Sequence, residues 1–163
     1  MRRWAGWALA ALVVLGSAIG GAAAYRWARH SGSGLPEISA YSRGQTTRVG
    51  PFFYCNVTDL NDCRRDGTQG ALRVSDRAPV QLSVPAAIGR APWRLLKVYQ
   101  DERNTTTTVF RPGTRLATTI ATADPERGRI VGVVVQLMTL VRDQDEAVFD
   151  LPHAEWSVRL DWD

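Results

Sequence analysis

An all-β antiparallel sandwich preceded by a single N-terminal transmembrane helix is the fold class the sequence predicts, and three observations carry that prediction. Residues 4–25 contain no charged side chain. From residue 37 onward, short runs rich in Val, Ile, Thr and aromatic residues alternate with Gly, Pro and Asp turn residues. No stretch of that second part carries the three-to-four-residue apolar spacing of an amphipathic helix.

Taken in order, the segment WAGWALAALVVLGSAIGGAAAY (residues 4–25) would rise about 33 Å as a helix, matching a bilayer core of about 30 Å. Trp4 and Trp7 at one end, with Tyr25 and Trp27 at the other, fit interfacial anchors. The apolar run exceeds a signal-peptide core, and Arg26 and Arg29 follow at once, so an uncleaved anchor with its N-terminus inside is expected. Cleavage after Ala22-Ala23-Ala24, releasing a secreted domain, is the alternative. Gly16, Gly20 and Ala24 are spaced four apart, a small-residue face suited to packing against another membrane helix.

Residues 1–30 are therefore read as the anchor, residues 31–36 (SGSGLP) as a flexible linker, and residues 37–163 as an extracytoplasmic domain. Within the domain, residues 37–41 and 45–49 flank Ser42-Arg43-Gly44 as a hairpin, and 79–84 alternates Val80, Leu82 and Val84 with polar neighbours. A helical turn in residues 85–92 should drop Ile88 onto the core. Strands follow at 93–100, 107–110 and 116–122. The run 130–141, half Val and Ile, predicts a central strand buried on both faces for much of its length. Residues 155–163 alternate Trp156, Val158, Leu160 and Trp162 with polar positions, a half-buried strand.

Some seven strands emerge, and Trp93 opening a middle one points to an immunoglobulin-like arrangement, in which a buried Trp anchors two sheets. Trp93 and Trp156 are the expected core anchors. Cys55 and Cys63 are too close in sequence to be the intersheet bridge of such a domain, so the likeness is one of architecture.

In an oxidising compartment Cys55 and Cys63 would pair, stapling a polar excursion to a strand end and contributing about 2.5 kcal/mol by loop closure. Zinc would need two more ligands, which His30 and His153 are badly placed to supply, and a thioredoxin-type pair would read C-x-x-C. Asp59, Asn61 and Asp62 fail the spacing of a calcium loop. Neither a metal nor a cofactor is expected.

The net charge of +4 is confined to the N-terminus. Arg2, Arg3, Arg26 and Arg29 account for four of the 20 basic residues, and the remaining 16 balance 16 acidic ones. A neutral domain gives no reason to expect nucleic acid. His153 lacks a G-x-S-x-G partner and reads as a strand-end residue at the rim. Asp101-Glu102 and Asp145-Glu146 fall in turns, and Asn56-Val-Thr58 and Asn104-Thr-Thr106 match a glycosylation acceptor pattern without requiring it.

The segments PEISAY…RVGPFFYC (36–41 and 48–55), the close cysteine pair, VPAAIGRAPWRLLKVYQD (84–101) and the terminal Trp strand resemble a family of actinobacterial exported proteins of unknown function. The resemblance covers most of residues 36–162 and implies a mycobacterial-type cell-envelope location; it brings no activity or catalytic residue. The expected role is a membrane-tethered, non-enzymatic envelope module whose partner is a protein, a lipid or a glycan. An envelope hydrolase or transferase using dispersed acidic residues, and an accessory subunit docking through its transmembrane helix, are the competing expectations.

Overall fold

The computed structural model describes residues 20–21, 34–142 and 146–163. The chain divides into two units, residues 1–35 and 36–163. In the first, Gly20 and Gly21 are helical, while the rest of the expected span, with Gly16 and Ala24, lies outside the described residues. Among the described residues no helix is long and apolar enough to cross a membrane.

The second unit begins with a hairpin, β1 (Ile38–Ser42) and β2 (Gln45–Val49), where the sequence places one. Its two-residue loop, Arg43-Gly44, has positive φ at both positions, 50° and 78°. Such a turn matches the right-handed twist of the strands it joins, and Gly44 adopts it without steric cost. A second hairpin, β3 (Phe53–Asn56) and β4 (Asp59–Arg64), and then β5 (Gln69–Val74), come next. After β6 (Val80–Ser83), one helical turn, α1 (Ala86–Gly89), buries Ile88 completely as its apolar position predicts. Then follow β7 (Trp93–Tyr99), β8 (Thr106–Phe110), β9 (Ala117–Ile120), β10 (Ala123–Asp124), β11 (Gly128–Arg142) and β12 (Val148–Trp162).

Twelve strands among the described residues, rather than seven or so, form two sheets. One is ordered β2-β1-β6-β9; the other runs β4-β3-β12-β11-β7-β8, with β10 added to β11 and β5 to β12. Pairing is antiparallel except for β5, which lies parallel to residues 157–162 of β12. A parallel pair in a twelve-stranded layout departs from the seven-strand immunoglobulin scheme; what holds is the all-β, two-sheet architecture. The sheets share one core, with Ile38, Val49 and Leu82 from the small sheet against Val133, Val135 and Val158 from the large one.

Trp93 and Trp156 are fully buried, and each indole N–H reaches a carbonyl: Trp93 donates to Arg115 at 3.3 Å and Trp156 to Pro36 at 2.7 Å. Trp93 also stacks on Phe110, ring centroids 4.1 Å apart. A buried indole is stable only when its donor is satisfied, so these bonds select Trp at both positions.

β11 is central, between β12 and β7, but it is buried on one face only. Ile130, Val133, Val135 and Leu137 enter the core, whereas Val131, Val134 and Gln136 are half-buried. A register shift between Ile130 and Gly132 advances the alternation by one residue. That bulge explains why an unbroken apolar run belongs to a one-sided strand.

Candidate interaction surface

Two features stand out on the large sheet, and they meet at one irregularity in β12. β11 pairs Leu137 with Ala154 and then Met138 with Pro152, which leaves His153 as an extra residue, a β-bulge. Bulges re-aim side chains and are over-represented next to functional sites.

His153 was expected at a rim; it is instead buried, 8% exposed, inside β12, one of the two 15-residue strands. Its Nδ1 faces the Cys55 carbonyl at 3.4 Å, and its ring meets Tyr54 edge-on, centroids 5.9 Å apart. Burial pushes its proton affinity below the ordinary value of 6.5, opposed in part by the Cys55 carbonyl. The ring closes an open cleft of about 360 Å³ whose other wall is the β3–β4 hairpin, through Asn56, Val57, Asp62 and Arg64.

That hairpin carries the disulfide. Cys55 and Cys63 are directly opposed in the β3–β4 ladder with Cα atoms 3.9 Å apart and are joined by a bond. The staple therefore ties two strands together, where the sequence led us to expect a loop tied to a strand end. The turn is held locally: Asn56 Oδ1 accepts from the backbone N–H of Thr58 at 3.1 Å and from its hydroxyl at 2.8 Å. Asp59 Oδ1 accepts from the Asn61 N–H at 3.0 Å, so this carboxylate serves the backbone of the turn. Among the described residues no group of three His, Cys, Asp or Glu could hold a metal ion.

The second feature is an overhang. β7 flanks β11 only as far as Leu137, and β3 flanks β12 only at residues 154–155. Residues 138–142 and 148–152 continue beyond both as a two-stranded ribbon. Cross-strand neighbours share a face. Met138, Leu140 and Arg142 lie with Pro152, Asp150 and Val148 on one side, and Thr139 and Val141 with Leu151 and Phe149 on the other. Leu140 is 74% and Val148 57% exposed, and Phe149 and Leu151 are exposed as well. Beside Leu140 an apolar hollow of about 280 Å³ includes Pro92, Val109 and Met138, spanned by the Arg94–Asp150 ion pair. The sequence signal for this surface was present in Leu140, Val148, Phe149 and Leu151, but a periodicity argument assigns apolar strand residues to the core.

Of the two acidic pairs, Asp101 and Glu102 lie at the start of a 3-10 turn. Asp101 accepts from the Arg103 side chain and backbone N–H, and Asp124 from the backbone N–H groups of Glu126 and Arg127; these bonds hold both carboxyls below the usual range. Asp145 lies outside the described residues, and Asn104 donates to the Arg127 carbonyl in the 3-10 turn Glu102–Asn104.

Fold and surface thus define a disulfide-stapled two-sheet β domain with an apolar strand ribbon. Residues 32–161 match the family described as Protein of unknown function (DUF2771), and the chain belongs to that family. It is 62% identical over 149 residues to uncharacterized proteins of Mycobacterium bovis and of Mycobacterium tuberculosis, covering 91% of this chain and 92% of each relative. No solved structure matches it.

Proposed function

We propose that the protein is a non-enzymatic binding module of the cell envelope, tethered by residues 4–25 with its β domain outside the cytoplasmic membrane, and that it engages a protein partner. The observation that carries the reading is the β11–β12 ribbon. Unpaired strand edges bearing large apolar side chains invite association, and soluble domains normally blunt such edges with charge, proline or a covering element. An extended segment of a partner would add to the ribbon edge through its backbone and seat side chains against Leu140 or Phe149.

Other features agree. The Cys55–Cys63 bond suits an oxidising compartment. The clefts are open, so surface contact fits better than carriage of an enclosed ligand. Asp101 and Asp124 are shifted away from the raised affinity of a general acid.

Photocrosslinking in native membranes tests the reading, with the probe at Leu140 or Phe149 and a control probe at exposed Arg73 on β5. A discrete protein adduct from the ribbon positions, absent at Arg73 and lost when Phe149→Asp is added to the Leu140 probe, is the expected result. Equal labelling from both places, or none, refutes it. Labelling of Cys-free variants carrying a single surface Cys, in intact cells with a membrane-impermeant reagent, tests the orientation; protection until lysis would place the domain inside.

A further inference from the structure

The outer face of the small sheet holds a feature unrelated to the ribbon. Register aligns two rows of side chains across β1, β6 and β9: Tyr41, Gln81 and Thr119 in one, Ser39, Ser83 and Ala117 in the next. The second row is made of small residues, so the sheet face sinks into a trough of about 540 Å³ instead of being levelled by long side chains. Tyr41, 41% exposed, stands along one wall, and Arg115 closes the other. Three strands about 4.8 Å apart give the trough a length on the order of 10–14 Å.

The chemistry of the lining is one-sided. Hydroxyls and an amide supply donors and acceptors, Tyr41 supplies an aromatic surface, and the single charge is the Arg115 guanidinium, with no carboxylate among the lining residues. On the large sheet, by contrast, Arg94 pairs with Asp150 and Arg159 with Asp161. Arg115 has no such acid among the described residues; its guanidinium lies 5.9 Å from the Phe110 ring centroid. Its backbone is fixed, because the Arg115 carbonyl accepts from buried Trp93 and the next carbonyl, of Leu116, accepts from Val84 at 2.8 Å. A guanidinium with no acidic partner among the described residues, at the end of a hydroxyl-lined trough, is an anion-recognition element.

We propose that this trough binds a short acidic glycan, an oligosaccharide segment whose carboxylate meets Arg115 while its sugar rings lie along Ser39 and Ser83 with one ring against Tyr41. A polyhydroxylated chain is the ligand class that uses many weak donors and acceptors, one aromatic face and one cation together. A peptide would pair with the free outer edge of β9 and not lie across the three strands, whose exposed rows present hydroxyls, one amide and a methyl. The site is independent of the ribbon, so the module would hold glycan on one sheet and protein on the other.

Calorimetry and amide chemical shifts of the full chain in detergent test this with three probes: hexagalacturonate, neutral maltohexaose and inorganic phosphate. Hexagalacturonate should bind and shift the amides of Ser39, Gln81, Ser83 and Thr119, maltohexaose should bind at least 10-fold more weakly, and phosphate should not compete at equal concentration. Arg115→Gln should weaken hexagalacturonate binding at least 10-fold. Ser83→Gln, which fills the trough from an exposed position and leaves the core untouched, should weaken it similarly without lowering Tm. The ribbon variant Phe149→Asp should bind as the parent does, so failure of the protein-docking reading leaves this result unaffected. Undiminished binding by both trough variants, absence of hexagalacturonate binding, or competition by phosphate alone would overturn the proposal.

Discussion

Replacing Cys55 and Cys63 together with Ser tests what holds the β3–β4 hairpin in place. β4 reads DLNDCR, four of its six residues being exposed, and Leu60 and Cys63 are only half-buried. Neither β propensity nor burial favours a strand there. Strand pairing with β3 and the bond itself are what remain. The cysteines are eight residues apart; freeing so short a loop costs about 2.5 kcal/mol on the chain-entropy estimate. With a urea dependence typical of a small domain, the midpoint should fall by roughly 1–2 M. A second readout separates loss of the staple from general weakening. The hairpin walls the cleft over His153, and desolvation is the main cause of that residue's lowered proton affinity. If the hairpin opens, the imidazole is rehydrated and its titration, followed by NMR, should move up toward the ordinary value of about 6.5. A midpoint shift under about 0.3 M with unchanged His153 titration would show that the ladder alone holds the hairpin, and would refute the argument.

Three further perturbations follow from the same geometry. Because His153 is shifted downward, the unfolded chain binds the proton more readily, so stability should fall as pH drops through about 6.5; His153→Gln should flatten the urea-midpoint profile between pH 7 and 5.5. Gly70→Ala should cost about 1–3 kcal/mol by thermal unfolding, since its added methyl would overlap Cγ2 of Val49, a β-branched side chain locked in the core. Trp156→Phe keeps a ring in the core but strands the Pro36 carbonyl; a loss of about 1–3 kcal/mol in denaturation, with faster amide exchange near Ile38, is expected.

The parts of the fold that could be read from the sequence are those in which local chemistry and final burial agree. Arg43-Gly44 takes the turn that its flanking strands require, Ile88 falls into the core from a helical turn, and Trp156, Val158 and Leu160 alternate inward as their spacing says. β3, β4 and β5 were not legible. β4 is polar because its strand state is imposed by the opposed cysteines, and β5 is fixed by a parallel partner some 88 residues further on, as in the Gln69–Ser157 hydrogen bond. No local pattern records such a partner. The trough was illegible for a related reason: Ser39, Ser83 and Ala117 are unremarkable singly and form a floor only through register.

The bulge at His153 shows how one residue couples the ribbon to the cleft beneath the disulfide hairpin. Trp156 and Ala154 point into the core, so strict alternation would carry residues 152 and 150 to the same side and aim the Asp150 carboxylate inward. The extra residue inverts the phase. Asp150 turns outward to meet Arg94, Phe149 and Leu151 come to share a face with Val141, and the displaced imidazole is pressed against Tyr54 under the disulfide hairpin. Deleting His153 should therefore do more than remove a side chain. With the bulge gone, residues 148–152 would re-pair with β11 in the opposite phase, breaking the Arg94–Asp150 pair and exchanging the faces of the ribbon. Amide exchange and crosslinking from position 149 report that change directly. A deletion variant that keeps the parent's crosslinks from that position would show that the ribbon's phase is set by its own tip and not by the bulge.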